Sequence, residues 1–160
     1  MSLKESAGRV QKYLNDNGFD LTVIELPGST RTAREAADAI GCSADQIAKS
    51  LVFRDKNSNQ PILVIASGGN RVDAKKLKAA TGIKLGRVDG NWVKEKVGFA
   101  IGGVPPAGHS HPLKTFLDPD LRLFDTIWAA AGTPHALFGL SPDELERLTA
   151  GEWVDLAEEG

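Results

Sequence analysis

Residues 51–66 read LVFRDKNSNQPILVIA. Two apolar runs, 51–53 and 62–66, flank the polar stretch 55–60, which is rich in Asn, Asp and Ser. Strand-length apolar runs on either side of a short polar turn predict a hairpin. The second run does not alternate, since Ile62, Leu63, Val64, Ile65 and Ala66 are all apolar. Successive strand side chains point to opposite faces, so a strand without alternation is one covered on both sides. The middle of the chain is therefore expected to lie inside the molecule.

Outward from this hairpin the pattern stays regular. Towards the N-terminus, Leu3, Ala7, Val10 and Leu14 give residues 3–17 the spacing of an amphipathic helix, ended by Asn17-Gly18. Residues 21–26 suit a strand closed by Pro27-Gly28. Thr32-Ala33-Arg34-Glu35 is a capping-box sequence, with Ala33, Ala36, Ala37 and Ile40 on one helix face and Gly41 as the stop. Ser43-Ala44-Asp45-Gln46 repeats the box and leads through a short helical turn to Ile47 and Lys49.

Towards the C-terminus, Asp73 can cap a helix running to about Thr81, with Ala74, Leu77 and Ala80 inward. A strand over 83–88 and a short helix over 91–97 follow. Residues 113–117, 123–124 and 127–131 read as strands, with turns at Asp118-Pro119 and near Asp125. Gly132-Thr133-Pro134 turns the chain into a strand over 135–140. Ser141-Pro142-Asp143-Glu144 is a third capping box, opening a helix to about Ala150. Hairpin-like spacings dominate and no βαβ repeat is present. The expectation is a single α+β domain over residues 1–160, built on a mixed, curved, barrel-like sheet flanked by helices.

The composition narrows the function classes. With 160 residues, 41% hydrophobic and 25% charged, the chain suits one globular unit with a proper core. No apolar run approaches a membrane span, and MSLKESAGRV lacks the apolar centre of a signal peptide, so a cytoplasmic location is expected. The single cysteine, Cys42, excludes an internal disulfide and a Cys-rich metal site. His109, His111 and His135 come without HExxH or clustered carboxylates, and neither GxGxxG nor a P-loop occurs. No metal, cofactor or membrane is expected. GxSxG is also absent, so a hydrolase of this sequence uses water as its nucleophile. The net charge of −2 does not suit a general nucleic-acid binder, and DNA is not an expected partner. Lys75, Lys76 and Lys78 read as a solvated helix face.

Two features carry chemistry. Residues 97–111, VGFAIGGVPPAGHSH, set Gly98, Gly102, Gly103 and Gly108 beside Pro105 and Pro106. Glycine permits unusual backbone angles and close approach, and proline stiffens the turn. Such a loop is either a tight connection between strands or a fixed cradle of N–H groups for an oxyanion or phosphate. Lys49 precedes the apolar run 51–53, at the expected mouth of a buried strand. It either snorkels to solvent or stands as a fixed cation facing a phosphate or carboxylate.

Four segments together carry a resemblance. STRTAREAADAIGCSADQIAKSLVF, PILVIASGGNRVDAKKL, GFAIGGVPPAGH and WAAAGTPHALFGLSPDEL resemble the YbaK/prolyl-tRNA synthetase-associated editing domain from about Thr22 to Val154. Lys49 within AKSLVF and the GxxxP loop from Gly102 to Pro106 are its most specific parts. The resemblance implies a free-standing deacylase that hydrolyses the ester of a mischarged aminoacyl-tRNA, with the acceptor end as ligand and prolyl-tRNA synthetase as a possible partner. The biochemical need is physical, because a site sized for proline cannot strongly reject smaller or similar side chains. The IGGVPPAGHS and WAAAGTPHALF segments look most like the ProXp-x subgroup, implying alanyl or 2-aminobutyryl esters. Cysteinyl-tRNA for proline is the alternative substrate, and a non-catalytic tRNA- or synthetase-binding module the alternative class.

By the same resemblance, Gly102 and Gly103 position the ester and stabilise its oxyanion, while Val104 and Pro106 shape the loop. Lys49 holds the terminal phosphate or orients the substrate, and the substrate's own ribose hydroxyl helps activate water. Ile47, Phe99, Ile101 and Ala130 are candidate apolar pocket walls. Arg31, Arg34 and Arg71 are candidates for gripping the RNA end. His135 sits one residue short of the GxxxH spacing of some relatives, and is either an ester-positioning or a structural residue.

Overall fold

The computed structural model describes residues 4–159. Leu3, expected to open the first helix, lies outside them. The hairpin that decides the fold is present and longer than its apolar runs. Strand β2 spans Ile47–Asp55 and β3 spans Pro61–Ser67, antiparallel from Ala48 opposite Ser67 to Arg54 opposite Pro61. Lys49 therefore lies inside β2, opposite Ala66, and not at its mouth. The polar residues 55–60 make the turn, closed by the Asp55 amide donating to the Gln60 carbonyl at 2.9 Å.

The absence of alternation in β3 has the expected cause. Leu63 and Ile65 enter one apolar cluster, and Ile62, Val64 and Ala66 enter another on the opposite face. The first face is covered by helices α1 (Glu5–Asp16), α4 (Gly90–Val97) and α5 (Pro142–Thr149), through Val10, Leu14, Val93, Val97 and Leu145. The second face is covered by α3 (Ala74–Thr81) through Leu77. Ala74 and Ala80, expected inward, are exposed, because one turn of α3 is all that reaches the sheet. Helix α2 (Ala33–Ile40) packs Ala36 and Ala37 against Ile47 and Leu137.

Strands β1 (Val23–Glu25), β4 (Leu85–Gly86), β5 (Lys114–Leu117), β6 (Ile127–Ala130), β7 (Ala136–Leu140) and β8 (Glu152–Trp153) complete one sheet. Its order is β1-β7-β6-β2-β3-β5-β8, with β4 on the end of β2. The β1–β7, β6–β7 and β2–β3 pairs are antiparallel, whereas β2–β6, β3–β5 and β5–β8 are parallel. The sheet is mixed as expected, but it does not close into a barrel, and β1 and β8 stand at its two ends. Residues 123–124 are not a strand. Pro119–Leu123 forms a 3-10 turn capped by the Asp118 carboxylate, whose Oδ1 accepts from the Asp120 amide. The two-residue β8 was too short to signal itself.

The capping sequences act where expected. Thr32 Oγ1 accepts from the Glu35 amide at 3.1 Å, and Ser141 with Glu144 completes both bonds of its box. Among the described residues no helix is long and apolar enough to cross a membrane.

Candidate functional site

The pairing of β2 leaves a gap. It meets β6 only at Ile47 and Ala48, and β4 only at Arg54 and Asp55. Along this edge residues 49–53 have no strand beside them. A cleft of about 470 Å³ occupies the gap. One wall is β2 from Ile47 to Leu51, and another is the start of α2 with Thr30, Arg31 and Arg34. The glycine loop closes a third side with Ile101, Gly102 and Val104, while Ala130 and Leu137 contribute from β6 and β7. A hollow of about 600 Å³ lies elsewhere, against Asp55, Glu95 and Lys96. It gathers acids with bases and includes none of the loop's glycines, so the smaller cleft is the better candidate.

Lys49 is held by the turn after β3. Its ammonium donates to the Gly68 carbonyl at 3.3 Å and the Asn70 carbonyl at 2.5 Å. An ammonium has three donors, so one remains for a ligand in the cleft. Burial pushes its pKa below the ordinary lysine value, Arg71 pushes the same way, and Asp118 opposes both. Among the described residues three cations, Arg31, Arg34 and Lys49, line the cleft and no carboxylate does. That suits an anionic ligand group such as a phosphate.

The glycine loop is built to approach closely. Gly102 has φ of 93°, and a Cβ there would sit 2.9 Å from Arg31 Cγ, so the arginine stem lies directly over the loop. A Cβ on Gly103 would meet the Thr133 backbone at 2.9 Å. The Gly103 carbonyl accepts from the Gly132 amide at 2.8 Å, which docks the loop on the β6–β7 turn. The Gly103 amide is engaged within the loop, donating to the Ala100 carbonyl at 3.1 Å. Among the described residues the Gly102 amide donates to no group, so it is the freer donor of the two.

Other expected site residues stand outside the cleft. Phe99 is 2% exposed and packs under Arg9, whose guanidinium is 4.4 Å from the ring centre. It supports the loop from the core and is not a pocket wall. Pro106 is buried beside Tyr13 and Leu148, on a separate crevice. Arg71 does not line the cleft but lies close enough to bias Lys49. His135 turns away as well, with Nδ1 3.0 Å from the Gly28 carbonyl. With the Leu26 amide on the His135 carbonyl and the Thr30 amide on the Pro134 carbonyl, it ties residues 26–30 to the β6–β7 turn.

Two features escaped the sequence. Thr30 and Ser50 line the cleft, and their side-chain oxygens are buried with no hydrogen-bond partner among the described residues. Nothing in their local sequence marks them, because burial is set by elements distant in the chain. His109 is the second. Its Nε2 lies 2.7 Å from the Pro105 carbonyl, within the loop it stiffens, and burial lowers its pKa from the ordinary 6.5.

The comparisons with known proteins show the family. The sequence model described as "Aminoacyl-tRNA editing domain" matches residues 28–148, which include every wall of the cleft. The chain belongs to the aminoacyl-tRNA editing domain family. A solved structure of a candidate trans-editing enzyme for prolyl-tRNA synthetase superposes with a TM-score of 0.92 at 48% identity, covering 99% of this chain and 100% of that one. The Bacillus subtilis protein YwhH, itself uncharacterised, is 34% identical over 160 residues, 99% of each chain. EbsC of Enterococcus faecalis, a candidate Cys-tRNA(Pro)/Cys-tRNA(Cys) deacylase, is 27% identical over 128 residues, 78% of this chain and 76% of EbsC.

Proposed function

We propose that this editing domain is a cytoplasmic trans-acting deacylase that clears alanine or 2-aminobutyrate from tRNA for proline. The observation that carries the reading is the cleft at the β2 gap, lined by a fixed lysine, two arginines, a glycine whose amide is unengaged among the described residues, and apolar walls. A phosphate of the terminal nucleotide would meet Lys49, with Arg31 and Arg34 beside the RNA end. The side chain of the amino acid would lie against Ile47, Val104 and Ala130. These residues are apolar and uncharged, which suits a small aliphatic group.

In the reaction, water attacks the ester carbonyl and loses a proton with help from the neighbouring ribose hydroxyl. The Gly102 amide stabilises the oxyanion as it forms, where a preorganised donor is worth most. The carbonyl carbon then releases the ribose oxygen, which takes up a proton, leaving a free amino acid and an intact tRNA. Nothing in this scheme needs a metal or cofactor.

The cysteinyl ester is a second reading, supported by the similarity to EbsC. The test is deacylation of tRNA for proline carrying proline, alanine, 2-aminobutyrate, cysteine or serine, by wild type and Lys49→Ala. Clearance of alanine and 2-aminobutyrate with proline spared, lost in Lys49→Ala, supports the proposal. Clearance of cysteine alone moves the substrate assignment to the second reading. Binding of tRNA without any clearance replaces the deacylase with a binding module.

A further inference from the structure

Asp118 is a carboxylate in the interior, 1% exposed, and its sequence context shows only a turn before Pro119. Its Oδ2 accepts from the Ser67 amide at 3.0 Å and from Asn70 Nδ2 at 2.8 Å. Its own amide donates to the Ile65 carbonyl at 2.9 Å. One carboxylate oxygen therefore holds both ends of the turn 67–70. That same turn presents the Gly68 and Asn70 carbonyls to Lys49. Asn70 is the link, with its side-chain amide on Asp118 and its backbone carbonyl on the ammonium.

A buried ionised carboxylate is costly to desolvate, and a neutral amide could brace a turn at lower cost. The charge therefore calls for a use beyond bracing. Asp120 shares the Asn70 amide, at 2.7 Å, but is exposed and does not replace the buried group.

We propose that Asp118 is a positioning residue for the cleft: through Ser67 and Asn70 it fixes the turn whose carbonyls aim the Lys49 ammonium at the ligand. The assignment rests on Lys49 acting in deacylation. Asp118 lines no part of the cleft and acts only through the turn and through its charge. The charged groups around Lys49 are Asp118, Arg71 after the turn, Arg31 and Arg34 across the cleft, and Asp45 against Gly69. Among them Asp118 favours the protonated lysine and Arg71 disfavours it.

The test compares wild type, Asp118→Asn and Asn70→Ala, each checked for native fold by circular dichroism. The Lys49 side chain is titrated by NMR with labelled lysine, its signal assigned by loss in Lys49→Ala. In Asp118→Asn, Lys49 titrates at lower pH than in wild type, and kcat/KM on alanyl-tRNA for proline falls about tenfold to hundredfold, as small misplacements in a site do. A folded Asp118→Asn with both readouts within twofold of wild type overturns the proposal. If Asp118→Asn does not fold, Asn70→Ala decides. It keeps the carboxylate but cuts the link, so kcat/KM falls and the Lys49 signal shifts, and wild-type values for both overturn the proposal. If wild type hydrolyses no ester, the deacylase reading fails. The Lys49 titration still decides the role of Asp118.

Discussion

Thr30 is 5% exposed and its hydroxyl has no partner among the described residues. A buried polar group without a partner costs about 1–3 kcal/mol, while an apolar group of the same shape avoids the cost. Thr30→Val is therefore expected to raise unfolding stability by about 1 kcal/mol in urea titration and to lower kcat/KM in the deacylation assay. A variant less stable than wild type would show that the hydroxyl is already satisfied. His109 gives a prediction with a definite sign. Burial lowers its folded-state pKa below the ordinary 6.5, so the unfolded chain takes up its proton first as pH falls. Its contribution to stability is complete above pH 6.5 and is lost as pH drops from there through the folded-state value. The melting temperature should decline between pH 7 and 5, and His109→Gln should flatten that decline. An unchanged slope would place the acid sensitivity elsewhere.

At the scale of elements, the glycine loop works because it docks on another turn. Gly103 meets the backbone of Thr133, which cannot swing aside as a side chain can, so an added methyl must displace one turn or the other. Gly103→Ala is expected to cost roughly 1–3 kcal/mol, the usual range for overpacking, and to lower kcat more than stability alone accounts for. Thermal unfolding and kcat measured on one preparation check this, and a wild-type kcat would separate the loop from catalysis. The GVPP pattern makes a shaped loop legible in the sequence, because glycine and proline act on their own backbone angles. Its docking partner is not legible there, because the Gly132–Gly103 bond joins segments with 28 residues between them. The capping boxes are legible for a related reason, since each acts within four consecutive residues. β8 escapes a sequence reading, being too short to carry a period, whereas the 3-10 turn at Pro119–Leu123 shows itself only through its opening Asp118-Pro119.

At the scale of the molecule, the net charge of −2 conceals a cleft with three cations and no acid. Binding to a single-stranded RNA end should weaken with salt by about 0.7 in the log–log slope for each phosphate neutralised. Removing Arg31 and Arg34 together should reduce that slope by about 1.4, measured by titrating an acceptor-end oligonucleotide at several salt concentrations. An unchanged slope would remove both arginines from the RNA contact. Stability should barely change, since among the described residues Arg34 pairs only with exposed Asp38 at 3.7 Å and surface pairs contribute little.

The sequence alone determined the central hairpin, the strand buried on both faces, most helices and their caps, the glycine loop, and Lys49 as the residue to watch. Each depends on chemistry within a few neighbouring positions, where period, turn residues and propensity act directly. Only the tertiary structure decided that the sheet stays open, that the gap beside β2 becomes the cleft, and that Gly102 rather than Gly103 has a free amide. It also turned Phe99 and His135 away from the site and brought in Thr30, Ser50 and Asp118. Those outcomes depend on which distant segments pack together, and no local pattern encodes the burial of a hydroxyl or the partner of a carboxylate.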